Sequence, residues 1–351
     1  MALERTTGLS ELAGFGFINL EPALKNLDEL TALIGTKSES VLEFVSKSQN
    51  PDQALELLLR LYRSHPGELK TFVTKSEALG RLCLILGAST ALHEFLDRHI
   101  DQLQLLEQSQ QLPTEGDHTK ALLSKTDSVT EIRVSYRTQL MKIASFDLEQ
   151  IDPVAGVGLV AASLADLAGA TLDAGLVLAR KEISSPGNSI SYPVQEVADT
   201  RVAVIGMGKC GARELNYISD VDVIFVAEPS GDVESARALE IATKLVTRMM
   251  RIMDEVGTEP ALWQVDANLR PEGKSGALVR SLDSHLSYYD RWAESWEFQA
   301  LLKARPIAGD SELGSEYIKR IWPKVWESTV RENFVDSVQK MRQKVTDNIP
   351  N

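Results

Sequence analysis

From Ser10 to Lys181 apolar residues recur every three or four positions, with polar residues filling the intervals. That is the helical period, because 3.6 residues per turn bring i, i+3, i+4 and i+7 onto one face. DQALELLLRLYRS, residues 52–64, has this pattern and is opened by Pro51-Asp52, a helix-start pair. Residues 76–100 read as two helices broken at Gly87-Ala88-Ser89, and 128–152 as one helix headed by a Ser-x-x-Glu capping box. QSQQLPTEGDHTK, residues 108–120, reads as a polar loop, and this half shows no strand-like alternation. The near-apolar run 154–179 is interrupted by Asp166 and Asp173, which fits a buried helix better than a membrane span.

The pattern changes after SSPGNSISYPVQ, residues 184–195, whose prolines, glycine and serines mark a linker. RVAVI (201–205) and VDVIFVAE (221–228) are β-branched runs of the kind that form buried strands. Residues 233–257 return to the helical period and stop at Gly257, and ALWQVDANLR (261–270) reads as a third strand. From Leu282 to the end the pattern is helical again. The expected fold is α+β and predominantly helical, a small sheet flanked by helical regions. Its parts are a helical region over 1–190, a catalytic core over 191–310 and C-terminal helices over 311–351.

Composition narrows the function. A chain of 351 residues has room for more than one core. A net charge of −13 opposes binding to a phosphate backbone, so nucleic acid is not an expected partner. The two cysteines, Cys83 and Cys210, are far apart and lack metal-ligand spacing, which argues against a disulfide framework or a structural zinc. The first residues, MALERTTGLSELAG, lack the basic-then-apolar pattern of a signal peptide. A cytoplasmic protein without membrane partners is expected.

The chemistry lies between the first two strands. Gly206, Gly208 and Gly211 follow a strand as G-x-G-x-x-G, the dinucleotide-binding pattern. Glu228 stands about 20 residues further on, where such a site has its ribose-binding acid. This reading leaves Asp220 and Asp222 without a role. At i, i+2 on a strand their carboxylates share a face, and like charges so close disfavour ionisation unless a cation lies between them. Oxygen donors suit Mg²⁺. Asp266, on the third strand, completes a set able to hold two Mg²⁺ ions, with Mn²⁺ as a substitute, for in-line attack at phosphorus. The turn Gly206-Met207-Gly208-Lys209 then presents backbone N–H groups and an ammonium to phosphate oxygens, and Ser219, heading S-D-V-D, joins the nucleotide-binding set. Glu272-Gly273-Lys274-Ser275 imitates the end of a phosphate-binding P-loop, but Asn268 occupies the place of its first glycine. Arg270, Lys274, Ser275 and Gly276 read instead as a basic loop placed to hold nucleotide phosphate or ribose.

A glycine turn, D-x-D on the next strand and a later aspartate resemble the polymerase-β-like nucleotidyltransferase superfamily. Within it, GMGKCGARELNYISDVDVIF, VDANLRPEGKSGALV and SYYDRWAESWEFQALLKARPIAGD resemble the glutamine synthetase adenylyltransferase/adenylyl-removing family. The likeness is close over residues 200–310 and loose over 76–180. Cys210 departs from the family's usual leucine, and Ala212-Arg213 stand where small glycines are common. The resemblance implies a longer protein with two catalytic halves. One transfers AMP from ATP to a tyrosine of glutamine synthetase, and the other removes it with phosphate, releasing ADP. A single copy behind a helical region that starts at Met1, and the E-L-N of Glu214 to Asn216, resemble the N-terminal, adenylyl-removing half. The alternatives are the adenylylating activity and a catalytically silent module that binds nucleotide or a regulator.

By the same resemblance Asp220 and Asp222 bind both metal ions, Asp266 binds the catalytic one, and Lys209 and Arg270 neutralise phosphate oxygens. The implied partners are adenylylated glutamine synthetase, ADP or ATP, phosphate and a nitrogen regulator of the PII type. Glu297, Lys303 and Arg305 read equally as residues that order the active site or as an ion-pair network under the sheet. Trp292, Trp296, Phe298 and Leu301 read as core, His285 as a surface or helix residue, and Cys210 as an inert thiol.

Overall fold

A computed structural model describes residues 8–35, 38–186, 191–328 and 334–347. Residues 1–7, the middle of the expected linker at 187–190, and residues 329–333 and 348–351 of the expected C-terminal helices lie outside the described residues. The chain begins with α1 (Leu9–Gly14), α2 (Leu20–Ile34), α3 (Ser38–Val45), α4 (Pro51–Ser64), α5 (Pro66–Phe72), α6 (Ser76–Ala88) and α7 (Thr90–Arg98), followed by a 3₁₀ segment, Ile100–Glu107. Next come α8 (Glu115–Leu123), α9 (Val129–Leu148), α10 (Pro153–Ile183) and α11 (Val194–Ala198).

The helix starts follow from their caps. The Asn50 side chain accepts from Gln53 N, and Pro51 fills a first-turn position that has no bond to lose. Ser89 accepts from Leu92 N, which separates α6 from α7, and Ser128 Oγ accepts from Glu131 N at 3.1 Å. The expected loop at 108–120 ends early. Thr114 and Asp117 form a reciprocal capping box that starts α8 at Glu115, a signal hidden inside a polar stretch.

The chain divides into two compact units: Met1–Pro113 with Arg137–Val157, and Thr114–Tyr136 with Gly158–Asn351. The first is wholly helical among its described residues apart from the 3₁₀ segment, with Leu27, Leu30, Leu42, Leu55, Leu58 and Phe95 fully buried. Its buried Arg81 donates to the carbonyls of Leu106 and Glu107, each at 2.8 Å, and pairs with Glu149 Oε1 at 3.4 Å, so the buried cation is both hydrogen-bonded and charge-paired.

The second unit holds the sheet. Its strands are β1 (Thr200–Gly206), β2 (Val221–Pro229), β3 (Val265–Asp266), β4 (Val279–Arg280) and β5 (Arg305–Gly309). Between and after them lie α12 (Gly208–Gly211), α13 (Ser235–Asp254), α14 (Leu282–Arg291), α15 (Ser295–Leu301), α16 (Ser311–Glu327) and α17 (Phe334–Asp347). The strand order is β3-β2-β1-β5, with β4 also on β2. β1 runs antiparallel to β2 and β5, whereas β3 and β4 run parallel to β2. Alternation along the strands puts Ala203, Ile205, Ile224 and Val226 on one face, packed with Leu286, Tyr289, Phe298, Leu313 and Tyr317 of α14 to α16. α13 contacts β1 and β2.

Three sequence expectations change here. The third strand shrinks to Val265–Asp266, because Leu262 N bonds back to Met253 O and Arg270 folds its own loop. β4 and β5 are additional. β5, read as part of a helical tail, contains Pro306 and Gly309, which a strand tolerates at a sheet edge beside a bulge; the β1–β5 register shifts between Val204 and Ile205. α10 is long and apolar enough to cross a membrane, yet most of its apolar window is buried. Within the second unit Asp173 Oδ1 accepts from Gly309 N at 2.9 Å, and a Cβ at Gly169 would lie 2.7 Å from Ile307 O, so this helix is pressed against β5.

Arg133, fully buried in α9, ends α13. Its guanidinium donates to Ile252 O, Glu255 O and Glu259 O at 2.8 to 3.1 Å, satisfying carbonyls that a helix end leaves without partners. Arg133→Met is therefore expected to lower stability by about 3 kcal/mol, since several buried carbonyls lose their donor at once. Differential scanning calorimetry should show a midpoint lower by roughly 10 °C; an unchanged midpoint would remove this account of how α13 is terminated.

Candidate active site

β1 ends at Gly206, and the chain turns through Met207 into the single-turn α12. Each glycine of the turn has a steric reason. A Cβ at position 206 would lie 2.8 Å from Ile307 Cγ2, and one at 211 would fall on the carbonyls of Lys303 and Gly206. At 208 it would fall on Asp222 Oδ2, and φ there is +52°, the left-handed region that glycine enters freely. Met207 N donates to Asp222 O at 2.8 Å, so the turn is fastened to the D-x-D strand itself. The glycine spacing thus serves close approach to Asp222 and to β5.

The dinucleotide reading fails on topology. That site needs consecutive parallel strands joined by a crossover helix, and β1 and β2 are antiparallel. Glu228 is also occupied: its Oε1 accepts from Leu282 N at 2.7 Å, capping α14.

The carboxylates meet through sheet register. β3 runs parallel to β2 with Asp266 directly beside Asp222, and Asp220 lies two residues before Asp222. One oxygen from each of the three can be chosen so that all lie within 4.8 Å of one another. Burial pushes the Asp222 carboxyl up to about 6, and the charges of Asp220 and Asp266 push it the same way, while the Lys209 ammonium pulls it back. Three crowded carboxylates with no soft donor among them could hold a hard divalent cation such as Mg²⁺ or Mn²⁺. Asp266 Oδ1 also accepts from Asn268 N at 2.6 Å, which fixes the carboxylate and starts the following loop.

Gly206, Gly208 and Lys209 are therefore assembled with Asp220, Asp222 and Asp266. Ser219 is half-buried in the approach to Asp220. The loop after β3 is arranged differently from its sequence reading. The Arg270 guanidinium turns into its own loop, donating to Ala267 O at 2.7 Å and to Gly276 O and Lys274 O at 3.3 Å. Lys274 and Ser275 are exposed in the short 3₁₀ turn Gly273–Ser275. Arg280 pairs with Glu272 and donates to Ser284 Oγ of α14 at 3.2 Å, and the Tyr288 hydroxyl of α14 donates to Glu297 Oε1 of α15 at 3.0 Å, which ties this loop to α14 and α14 to α15.

Lys303 and Arg305, read from the sequence either as ordering the active site or as an ion-pair network, bond to the turn and the residues after it, together with Asp166, which no motif singled out. Lys303 Nζ bonds Glu214 Oε2 at 2.7 Å. Arg305 donates to Gly211 O and Cys210 O, both at 3.3 Å, and Asp166 of α10 pairs with Arg213. The available signal was Asp166 itself, a charge inside an apolar run. Cys210 is buried, with its thiol pushed up to about 12, and is inert as expected. His285 is not on the surface. It is buried in α14 with Nε2 3.3 Å from Phe225 O, and burial lowers it to about 4. Phe298 and Leu301 are core, but Trp292 is exposed, because α14 stops at Arg291 and the helical spacing to Trp296 is broken there.

A glycine turn on one strand, two carboxylates at the head of its antiparallel neighbour and a third on a parallel strand form the arrangement that the sequence resemblance to the polymerase-β-like nucleotidyltransferases leads one to expect. The family profile described as glutamate-ammonia ligase adenylyltransferase matches residues 79–319. The chain belongs to that family. It is 48% identical over 357 residues to the bifunctional glutamine synthetase adenylyltransferase/adenylyl-removing enzyme of Leifsonia xyli, covering 97% of this chain and 35% of that protein. Proteins of the same name are 44% identical in Streptomyces coelicolor, covering 99% of this chain and 34% of the relative, and 41% identical in Mycobacterium avium, covering 87% and 30%. The chain thus spans about a third of the length of the curated relatives it matches.

Proposed function

We propose that this chain removes AMP from an adenylylated tyrosine of glutamine synthetase by phosphorolysis, and so takes part in regulating nitrogen assimilation. The observation that carries the reading is the convergence of Asp220, Asp222 and Asp266 beside a glycine turn that no side chain at position 208 could share. A phosphate oxygen attacks the phosphorus of the AMP–tyrosine diester. The new P–O–P bond gives ADP, the bond to the tyrosine oxygen breaks, and that oxygen regains a proton. Divalent cations, Mg²⁺ or Mn²⁺, held by the three aspartates supply neutralisation of the phosphoryl charge and of the leaving oxygen. The N–H groups of the turn and the Lys209 ammonium hold phosphate oxygens. Arg270 acts on the nucleotide through its loop, whose curvature it maintains, so that Lys274 and Ser275 face solvent where phosphate or ribose can reach them.

The relatives' name carries both activities, and addition and removal of AMP pass through similar charge at phosphorus, so AMP transfer from ATP is the second reading. The likeness of Glu214 to Asn216 to the adenylyl-removing half favours removal. A nitrogen regulator of the PII type is a further proposed partner. Purified protein, adenylylated glutamine synthetase, Mg²⁺ and phosphate are expected to yield ADP with a dependence on phosphate. Labelling of unmodified synthetase from ATP, with no ADP released from the adenylylated form, would reverse the assignment. Inactivity in both assays with intact nucleotide binding would favour a silent binding module.

A further inference from the structure

We infer that Asp166 is a positioning residue for the glycine turn, acting through the two guanidinium groups it holds behind that turn, Arg213 and Arg305. The inference rests on the nucleotide-binding role proposed above for the turn. Asp166 lies on α10 with its side chain only 2% exposed. Its Oδ2 accepts from Arg213 Nη2, and its Oδ1, which has no hydrogen-bond donor, lies 3.6 Å from Arg305 Nη2. Burial raises its carboxyl above the ordinary carboxylate range, and the two guanidinium groups oppose part of that rise.

The two arginines reach the turn by different routes. Arg305 Nε and Nη2 donate to Gly211 O and Cys210 O, the carbonyls at the C-terminal end of α12. Cys210 O also accepts from Arg213 N at 3.3 Å, and the Arg305 guanidinium fork adds a donor to each of the two oxygens at this helix end. Arg305 also opens β5, where it pairs with Gly206 across the sheet, so one residue grips both ends of the turn. Arg213 holds φ at +59°, a conformation unusual for a side chain with a Cβ, two residues beyond α12. Its bond to a buried carboxylate pins that conformation where a glycine would adopt it freely. The other tether, Lys303 with Glu214, is exposed and therefore weak. Asp166 and its arginines thus set the distance between the turn's N–H groups and Asp222. The proposed chemistry depends on that distance, since a displacement of about 1 Å can lower a rate on the order of 10²-fold.

The test compares wild type with Asp166→Asn and Arg305→Lys in the full chain. Mg²⁺-ADP affinity is read by calorimetry, Mn²⁺ affinity by electron paramagnetic resonance, and kcat and KM with adenylylated glutamine synthetase. Asp166→Asn is expected to weaken ADP binding about tenfold and to lower kcat roughly 30-fold. Mn²⁺ affinity and KM for the protein substrate should stay within about twofold, a split that general loosening of the fold does not produce. Asp166→Glu should recover part of the loss. Should Asp166→Asn fail to fold, Arg305→Lys decides alone, because it keeps the charge but not the two-carbonyl fork, and the same loss is expected. ADP affinity and kcat within twofold of wild type in whichever variant folds overturn the inference. If wild type binds ADP but transfers AMP in neither direction, the proposed function fails, while the ADP comparison still decides the role of Asp166.

Discussion

Replacing Asp222 by asparagine is expected to lower AMP transfer at least 10³-fold and, at the same time, to raise the thermal midpoint of the metal-free protein at neutral pH. The first effect follows from position. Asp222 sits against Gly208 on one side and pairs with Asp266 on the other, so removing its charge empties the centre of the carboxylate set. The second follows from the direction of its pKa. In the folded chain the carboxyl is raised to about 6 from 3.8. Between those values the native state binds more protons than the unfolded one, so stability falls as pH rises through the window and stays lowered above it. At 1.36 kcal/mol per unit the full effect is about 3 kcal/mol, and solvent at this half-buried site reduces it to on the order of 1–2 kcal/mol. Asparagine removes that deficit, so the midpoint in EDTA at pH 7.5 should rise by roughly 3–6 °C. At pH 4 the two proteins should converge. Added Mg²⁺ should stabilise wild type and leave the variant almost unmoved, since binding to the native state alone raises stability. A lower midpoint for Asp222→Asn in EDTA, or a rate within tenfold of wild type, contradicts both the geometry and the chemistry assigned to this residue.

What the chain's pattern disclosed, and what it hid, divides along physical lines. Asp220 and Asp222 were legible because i, i+2 on a β-branched run is a local statement about one strand. Asp266 needed strand pairing as well. Only two residues of the expected ten-residue strand pair with β2, and they are the two that matter here. The sense of pairing was not legible: a glycine turn after a strand looks alike whether the next strand is parallel or antiparallel, and Glu228 stood where either reading could claim it. β5 was hidden by Pro306 and Gly309, which argue against a strand until its edge position is known. Arg270 shows a further limit. A basic residue in a loop of glycine, lysine and serine reads as facing a ligand, and no periodicity distinguishes that from a guanidinium turned inward onto Ala267, Lys274 and Gly276. Asp166 was visible as a charge in an apolar helix, but its partners lie 47 and 139 positions away in Arg213 and Arg305, and such contacts emerge only from the folded chain.

Gly208→Ala is expected to disable the site while leaving the fold largely intact, and this contrast shows why the turn carries glycine. Two penalties meet at this position. The left-handed φ of +52° costs an alanine about 1 kcal/mol. The new methyl would also overlap Asp222 Oδ2, which belongs to the end of a short side chain on a residue paired with Asp266 and bonded through its carbonyl to Met207 N. The strand cannot retreat, because Met207 N and the β1–β2 ladder hold it, so the carboxylate must rotate. Rotation carries Asp222 away from Asp220 and Asp266 and breaks up the donor set. Mn²⁺ affinity should therefore fall on the order of tenfold and kcat at least 10²-fold, with a stability loss of only about 1–2 kcal/mol. Gly206→Ala is the matched control. Its methyl would meet Ile307 Cγ2 and Cδ1, with Gly211 N next at 3.4 Å, and none of these atoms belongs to a carboxylate, so the variant should retain its Mn²⁺ affinity. Equal losses in both variants would mean that any added bulk collapses the turn. Selective loss in Gly208→Ala would show that the second glycine is there to leave room for one aspartate oxygen.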